Sequence, residues 1–359
     1  MAIEFNDRIR RIPSYPIAGG YSLPDDVALL ASNESPDPPL PAVMDAVQRA
    51  LTGLNRYPDP SYADLRRALS DRYDVPQTRI ALGNGSCDIL LAAGDALLEP
   101  GAELVHAWPS FSVYPHLEAA SGARAIRVPL NDRDEHDLDA MLAEITAATR
   151  LVVVCNPNNP TSTALPLAQI KQFVEAVPRH VAVILDEAYI EFSTIEDPDA
   201  SLDLLKGHSN LVLLRTFSKI YGLAGLRVGF ALSGSEEFVT AVNQVRQPFY
   251  LNIPAQAAAV EALKHQDAVT ERVERAIVAR VEIEEGLREL GISVAASQAN
   301  FCWLHLPETA DESEVISGLA ERGVIVRSGA ALGREGALRV TYGTPAHNRR
   351  FLDALRDVL

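Results

Sequence analysis

Lys219 lies in a stretch of residues whose types and spacing could do chemistry together. The stretch runs from Thr216 to Gly229 and reads T-F-S-K-I-Y-G-L-A-G-L-R-V-G, directly after the apolar run Leu211 to Leu214. Such a run predicts a buried strand, so Lys219 should lie just beyond a strand's carboxyl end, where open α/β sheets bind ligands. The lysine amine can form a Schiff base, and a phosphate could be held by the cation and hydroxyls of the same stretch, Arg227, Ser218 and Thr216. Pyridoxal 5'-phosphate (PLP) requires this pairing of a lysine with a phosphate site.

Two further apolar runs of the chain end in polar residues. Leu151 to Cys155 is followed by N-P-N-N-P-T, and a later run, Val181 to Leu185, is followed by D-E-A-Y. With a helical stretch between them, this is the β-α-β pattern of a parallel sheet, whose strands end at one edge. That edge should carry the side chains that follow these strands, Asn159, Asp186, Tyr189 and Lys219. A carboxylate such as Asp186 could keep a pyridine nitrogen protonated.

A glycine turn and an aromatic residue supply more candidates for cofactor binding. The run Ile80 to Leu82 is followed by G-N-G-S-C-D, which predicts a strand, a tight turn and a helix. The free amides at the start of such a helix suit a phosphate, so Gly85, Ser86 and Cys87 are candidates. Phe111 follows another predicted strand and could stack on a flat ring or equally serve as a core aromatic.

The chain divides by composition into three parts. Residues 1–35 contain many breakers and predict an extended arm that packs on the small domain. Residues 36–247 hold the predicted strand ends and form a large α/β domain. From residue 248 the chain turns helical and alanine-rich, and strand candidates follow at 301–306, 324–326 and 338–342. Residues 248–359 therefore predict a smaller α+β domain.

Composition argues against several classes of protein. At 359 residues, with 47% hydrophobic and 22% charged residues, the chain has ordinary globular values. A formal net charge of -16 argues against a nucleic-acid partner, and no run is long enough to predict a membrane span. Three scattered cysteines and an N-terminus without an apolar core favour a cytoplasmic protein with reduced thiols. The acidic run from Asp132 to Asp139 predicts a solvated loop, so no metal is expected.

The string S-K-x-Y-G-L-A-G-x-R-x-G at residues 218–229 closely resembles the lysine motif of the fold type I PLP-dependent aminotransferases, in particular the histidinol-phosphate aminotransferase branch. The resemblance covers nearly the whole chain, from Tyr15 and Asn33 to the segment Leu338 to Thr341. It implies a large domain with a mostly parallel sheet flanked by helices, a smaller α+β domain, and PLP as cofactor.

The resemblance also implies roles for individual residues. Lys219 would carry the cofactor and act as general base and acid, while Asn159 and Tyr189 would lie near the ring hydroxyl. Tyr57 would reach the cofactor phosphate of the neighbouring subunit, which implies a homodimer with shared sites. The substrate would be bound by residues of the arm and the small domain, Tyr15, Asn33, Arg327 and Arg339, with Arg339 gripping its anionic group.

The implied reaction is transfer of the amino group from histidinol phosphate to 2-oxoglutarate, giving imidazole acetol phosphate and glutamate in histidine biosynthesis. One departure bears on the substrate, because Ser162 stands where the family usually has glycine, a form that resembles relatives assigned to aromatic amino acids. An aromatic amino acid aminotransferase is therefore the alternative, and a PLP-dependent decarboxylase of a phosphorylated amino acid is a more distant one. A non-catalytic PLP-fold module would need an attached DNA-binding domain, for which residues 1–35 leave no room.

Overall fold

The computed structural model describes residues 3–5, 7–12 and 26–359. The strands are β1 (Ala28–Leu29), β2 (Ile80–Gly83), β3 (Glu103–Trp108), β4 (Arg124–Pro129), β5 (Thr149–Cys155), β6 (Ala182–Asp186), β7 (Leu211–Thr216), β8 (Gly229–Ser233), β9 (Ser293–Val294), β10 (Phe301–His305), β11 (Val324–Ile325), β12 (Arg327–Ser328) and β13 (Ala337–Thr341). The helices are α1 (Asp7–Arg11), α2 (Pro41–Leu51), α3 (Ala63–Tyr73), α4 (Ser86–Leu97), α5 (Tyr114–Ser121), α6 (Leu138–Ala143), α7 (Leu167–Ala176), α8 (Glu236–Gln244), α9 (Ile253–Ala262), α10 (Gln266–Glu289), α11 (Glu312–Glu321) and α12 (Pro345–Val358).

The large domain is built on a seven-stranded sheet with the order β2-β8-β7-β6-β5-β3-β4. Pairing is parallel from β4 through β7, whereas β8 runs antiparallel to both β7 and β2. The predicted fold class, an α/β fold with a mostly parallel sheet flanked by helices, is confirmed. Strands β4 and β8 were not predicted. β8 begins at Gly229, the last residue of the lysine motif, so the motif is a connection between two neighbouring strands.

Apolar side chains are buried on both faces of this sheet. Along β5, Val152 and Val154 join the hydrophobic core on one face, and Leu151, Val153 and Cys155 join the core on the other. This alternation follows from the two-residue period of a strand covered by helices on both sides. Burial on both faces holds the strands rigidly, so the residues at their carboxyl ends have fixed positions.

The small domain contains a four-stranded antiparallel sheet with the order β12-β13-β10-β9. Its core is closed by α10, α11 and α12, whose apolar faces supply Ile283, Leu319 and Leu355. β1 pairs in parallel with β11, which places residues 28–29 of the predicted arm against this domain. None of the helices that the structure describes is long and apolar enough to cross a membrane.

Two expectations about irregular segments are wrong. The segment 1–35 contains α1 and β1, because the prolines and glycines that argued against regular structure lie between these two elements. The acidic run from Asp132 to Asp139 is not uniformly solvated, because Asp134 and His136 are 6% and 4% exposed. Asp134 is buried by ionic contacts with His305 and Arg334 of the small domain.

Candidate active site

A cavity of about 320 Å³ opens at the carboxyl ends of β5, β6 and β7. Most of the predicted cofactor-binding residues line it, namely Ser86, Cys87, Phe111, Asn159, Asp186, Tyr189, Thr216, Ser218, Lys219 and Arg227. A cavity of this size suits a small cofactor together with part of a substrate. Its walls combine aromatic rings with convergent polar groups, as expected of a catalytic site.

Lys219 differs from the other lysines of the chain in its surroundings. Lys171, Lys206 and Lys264 expose 57%, 77% and 60% of their side chains, whereas Lys219 faces the cavity. Its Nζ donates a hydrogen bond to the Ser32 carbonyl at 3.1 Å. Burial, with a smaller contribution from the charge of Arg339, lowers the pKa of Lys219 to about 8. A much larger fraction of this amine is therefore neutral near pH 7 than for an exposed lysine, and the neutral amine is the nucleophile.

Asp186 is the last residue of β6 and is 3% exposed. Its Oδ2 accepts a hydrogen bond from the Tyr114 hydroxyl at 3.0 Å, and its Oδ1 accepts one from the Ala188 amide at 3.3 Å. Burial raises the pKa of Asp186 to about 6. Within the part of the chain that the structure describes, no lysine, arginine or histidine forms an ion pair with this carboxylate. A protonated ring nitrogen would supply the missing cationic partner.

Tyr189 and Asn159 connect the cavity to the arm and the small domain. The Tyr189 hydroxyl accepts a hydrogen bond from Asn33 Nδ2 at 3.0 Å, and burial raises the pKa of this phenol. Asn159 Oδ1 accepts one from Arg339 Nη1 at 2.6 Å. Arg339 also donates to the Ala31 carbonyl at 2.5 Å, and its guanidinium lies over the Phe301 ring at 5.5 Å. The cation is thereby fixed next to the cavity wall.

The phosphate-binding candidates meet at the start of α4. Gly85 has a φ of +83°, and a Cβ there would come within 2.4 Å of Arg227 Nη2, so this turn needs glycine. Arg227 Nη1 lies 3.5 Å from Ser218 Oγ, which accepts a hydrogen bond from Thr216 Oγ1 at 3.0 Å. Arginine, hydroxyls and the free amides of a helix N-terminus together form a cradle for a phosphate dianion. The cradle therefore fits the phosphate of PLP, and Asp186 fits its ring nitrogen at the other end of the molecule.

Ser162 adopts the backbone conformation that explains the glycine usual at this place. Its φ is +60°, in the left-handed region. Its amide donates to the Asn158 carbonyl at 2.8 Å, and its own carbonyl accepts from the Gln298 amide at 2.7 Å. The side chain hydroxyl donates to the Thr161 carbonyl at 2.6 Å. The serine thus keeps the turn that positions Asn159.

Six predicted residues either do not line the cavity or lie outside the described chain. Gly85 and Arg339 contact residues of its wall, Arg227 and Asn159. Tyr15 falls outside the described residues. Tyr57 is 81% exposed and stacks on Phe249 with ring centroids 4.7 Å apart. Arg327 is buried and directly opposite Arg339 in the pairing of β12 with β13. Asn33 donates to the hydroxyl of Tyr189, which lines the cavity.

Sequence reasoning missed several residues of the site. Ser32, Glu34 and Cys155 line the cavity, and the Tyr114 hydroxyl donates a hydrogen bond to Asp186. Tyr114 stands three positions after Phe111, but nothing in this spacing indicates a partner 72 residues away. Ser32 and Glu34 could have been predicted from their positions on either side of Asn33, which was itself a predicted site residue.

Asp134 links the two domains beside the site. Its carboxylate accepts hydrogen bonds from His305 Nε2 at 2.7 Å and from Arg334 Nη1 at 2.5 Å, both in the small domain. Its backbone carbonyl accepts one from Thr163 Oγ1 at 2.7 Å. Thr163 follows the turn that carries Asn159, so this contact connects the small domain to the cavity wall.

Comparison with known proteins gives matches along almost the whole chain. Residues 25–355 match the family model described as aminotransferase class I and II. The chain is 44% identical to an aromatic amino acid aminotransferase of Thermobifida fusca, over 92% of this chain and 89% of that protein. It is also 44% identical to histidinol-phosphate aminotransferase 2 of Pseudomonas fluorescens, over 94% of this chain and 90% of that protein. Among solved structures, the histidinol-phosphate aminotransferase of Sinorhizobium meliloti in complex with pyridoxal-5'-phosphate aligns with a TM-score of 0.87 and 28% identity, over 100% of this chain and 98% of that chain.

Proposed function

Because this chain belongs to the class I and II aminotransferases and uses PLP, we propose that it transaminates amino acids whose side chain is a flat aromatic ring. The observation that carries the proposal is the position of Arg339, a buried cation between Asn159 and the ring of Phe301. A carboxylate bound by this guanidinium would bring the rest of the substrate to a cavity with Phe111 and Tyr189 in its walls. The similarity to the T. fusca protein supports this substrate class.

Different residues of the cavity would have different roles in the reaction. PLP supplies the electron sink that lets a proton leave the substrate Cα. Lys219 would hold the cofactor and, once released by the substrate, would take up and return that proton at its Nζ, and its lowered pKa suits a base near neutral pH. Asp186 would keep the ring nitrogen protonated. Asn159 and Tyr189 would contact the ring hydroxyl, and the phosphate would be held by Arg227, Ser218, Thr216 and the amides of residues 85–87.

Tyr57 is assigned to the site of a second subunit. Its ring is exposed although aromatic, and other large apolar side chains in α2 and the following turn are also exposed, Leu51 by 48% and Leu54 by 55%. Such a patch is typical of an interface. In a homodimer, Tyr57 of each subunit would contact the cofactor phosphate bound by the other.

Histidinol phosphate is the second candidate substrate, and one specific observation favours it. Arg327 and Arg339 are buried at directly opposed positions of neighbouring strands. A phosphate dianion would interact more strongly with two neighbouring cations than a carboxylate, which carries a single charge. The similarity to the P. fluorescens and S. meliloti proteins is consistent with this candidate.

Single-turnover absorbance of the PLP-loaded protein tests the proposal. Phenylalanine, tyrosine, histidinol phosphate and glutamate are mixed with the protein in separate experiments, and conversion of the cofactor to its pyridoxamine form is timed. Phenylalanine and tyrosine should react at least about tenfold faster than histidinol phosphate, the scale on which a pocket separates similar rings. If histidinol phosphate reacts fastest, the second candidate replaces the first. Loss of carbon dioxide from a substrate would instead indicate a decarboxylase.

A further inference from the structure

We propose that Tyr114 is a positioning residue for the cofactor, acting through Asp186 without touching the cofactor itself. This inference rests on the proposed role of Asp186 at the ring nitrogen. Tyr114 begins α5 and is fully buried, whereas Asp186 ends β6, so the contact joins a helix on one face of the sheet to the strand end that faces the cavity.

The geometry assigns one protein donor to each oxygen of the carboxylate. The Tyr114 hydroxyl donates to Oδ2 at 3.0 Å and the Ala188 amide donates to Oδ1 at 3.3 Å. A carboxylate oxygen accepts more than one hydrogen bond, so the side of Asp186 that lines the cavity can still accept from a ring N–H. Two donors from different elements fix the carboxylate plane before the cofactor binds.

Tyr114 must be the donor in this contact. Burial and the neighbouring charge of Asp186 raise the pKa of the Tyr114 phenol well above its ordinary value, so the hydroxyl keeps its proton. His106, whose ring lies 5.6 Å from that of Tyr114, is also neutral, because burial lowers its pKa to about 4. Tyr114 therefore stabilises the charged form of Asp186 without adding a charge.

The other titratable groups near Asp186 do not replace this donor. Burial raises the pKa of the thiols Cys87 and Cys155 and of the phenol Tyr189, so these three groups stay neutral. The carboxylate of Glu187 is paired with Arg215 at 2.8 Å. Lys219 lines the same cavity but forms no ion pair with Asp186 among the described residues. Loss of the Tyr114 hydroxyl should therefore raise the pKa of Asp186 further.

The ring of Tyr114 has a separate contact, which allows the hydroxyl to be tested alone. The ring packs edge-on against Phe111, with centroids 5.8 Å apart and planes at 90°. Tyr114→Phe keeps this ring contact and removes only the donor. Tyr73→Phe is the matched control, since it deletes the hydroxyl of another buried tyrosine whose ring packs on Phe230.

The experiment measures the PLP dissociation constant of each reconstituted variant by equilibrium dialysis between pH 5 and pH 9. For Tyr114→Phe, affinity at pH 7.5 should fall roughly tenfold, and the acidic limb of the profile should move up by roughly one pH unit, as for loss of a hydrogen bond to a charged group. Tyr73→Phe should match the wild type. The double variant Tyr114→Phe/Asp186→Asn should bind PLP no more weakly than Asp186→Asn alone.

Two outcomes would overturn the inference. One is a Tyr114→Phe profile that coincides with that of Tyr73→Phe, and the other is an affinity loss of equal size at every pH, which would indicate a purely structural role. If Asp186→Asn itself binds PLP like the wild type, the role proposed for Asp186 fails instead, which separates the two failures.

Discussion

The half of the site assigned to the cofactor and the half assigned to the substrate are built in different ways. The cofactor half comes from residues at or after the ends of β3, β5 and β6, from the end of β7 and its connection to β8, and from the start of α4, all in the large domain. The substrate half joins Arg339 on β13 to Asn159 and to Ala31, across sequence separations of 180 and 308 residues. The groups assigned to the reaction thus lie along one rigid sheet edge, whereas the groups assigned to the substrate come together only where the arm and the small domain pack against that edge.

Replacement of Lys219 should have the largest effect, because it removes the group assigned to proton transfer in the cofactor half. Lys219→Ala should lower kcat by at least about a thousandfold, the contribution of a positioned general acid and base. Lys264→Ala changes an exposed lysine just after α9 and should match the wild type. Steady-state kinetics with the preferred amino donor measure both, and near-normal turnover of Lys219→Ala would remove it from the mechanism.

Arg339→Ala tests the substrate half and should rank second. Removing one partner of a buried charge contact costs roughly 2–5 kcal/mol of binding, so kcat/KM should fall in parallel for every amino donor. The exposed Arg356, which pairs with Asp353, supplies the control Arg356→Ala. Unchanged kinetics, or a loss confined to a single donor, would contradict a common anion-binding role.

Asp186→Asn should have opposite effects on the apoprotein and on cofactor binding. Burial raises the folded-state pKa of Asp186 from 3.8 to about 6, so its contribution to stability is present below pH 3.8 and is lost as the pH rises through 6. At pH 8 the apoprotein of Asp186→Asn should therefore be more stable, by about 1–3 kcal/mol, while its PLP affinity drops. Denaturant unfolding at pH 8 and pH 5 checks this, and the stability gain should be smaller at pH 5. A variant that is less stable at pH 8 would show that the buried charge does not strain the fold.

Asp134→Asn tests the connection between the two halves and should have the smallest effect. Asparagine tolerates the positive φ of 59° at this position, but it removes the charge shared by His305 and Arg334. The free energy of unfolding should fall by about 1–2 kcal/mol, and KM should rise several-fold with little change in kcat. Asp132→Asn, at an exposed position of the same loop, is the control. A change in kcat alone would exclude a role in domain docking.

The same contrast explains how much the sequence could predict. Lys219, Asp186 and Asn159 could be located from local patterns, because an apolar run followed by polar residues marks a strand end wherever it occurs. The cavity brings these three together as expected. The parallel sheet was predictable for the same reason.

Contacts between segments that are far apart in the sequence left no local pattern from which they could be predicted. The partnership of Tyr114 with Asp186 and the ionic contacts of Asp134 form only when separate elements pack together. Asp134 was therefore assigned to a solvated loop on composition alone. The contacts of Arg339, the residue assigned to the substrate, are also long-range. The lysine motif therefore indicates the reaction class but not the substrate.

The most direct test of the central claim is to locate the cofactor on the chain. The PLP-loaded protein is reduced with borohydride, digested, and analysed by mass spectrometry to find the lysine that carries the pyridoxyl group. The chain has Lys171, Lys206, Lys219 and Lys264, so the peptides distinguish every lysine. We expect stoichiometric labelling of Lys219 alone. Labelling of one of the three exposed lysines, or of none, would contradict it.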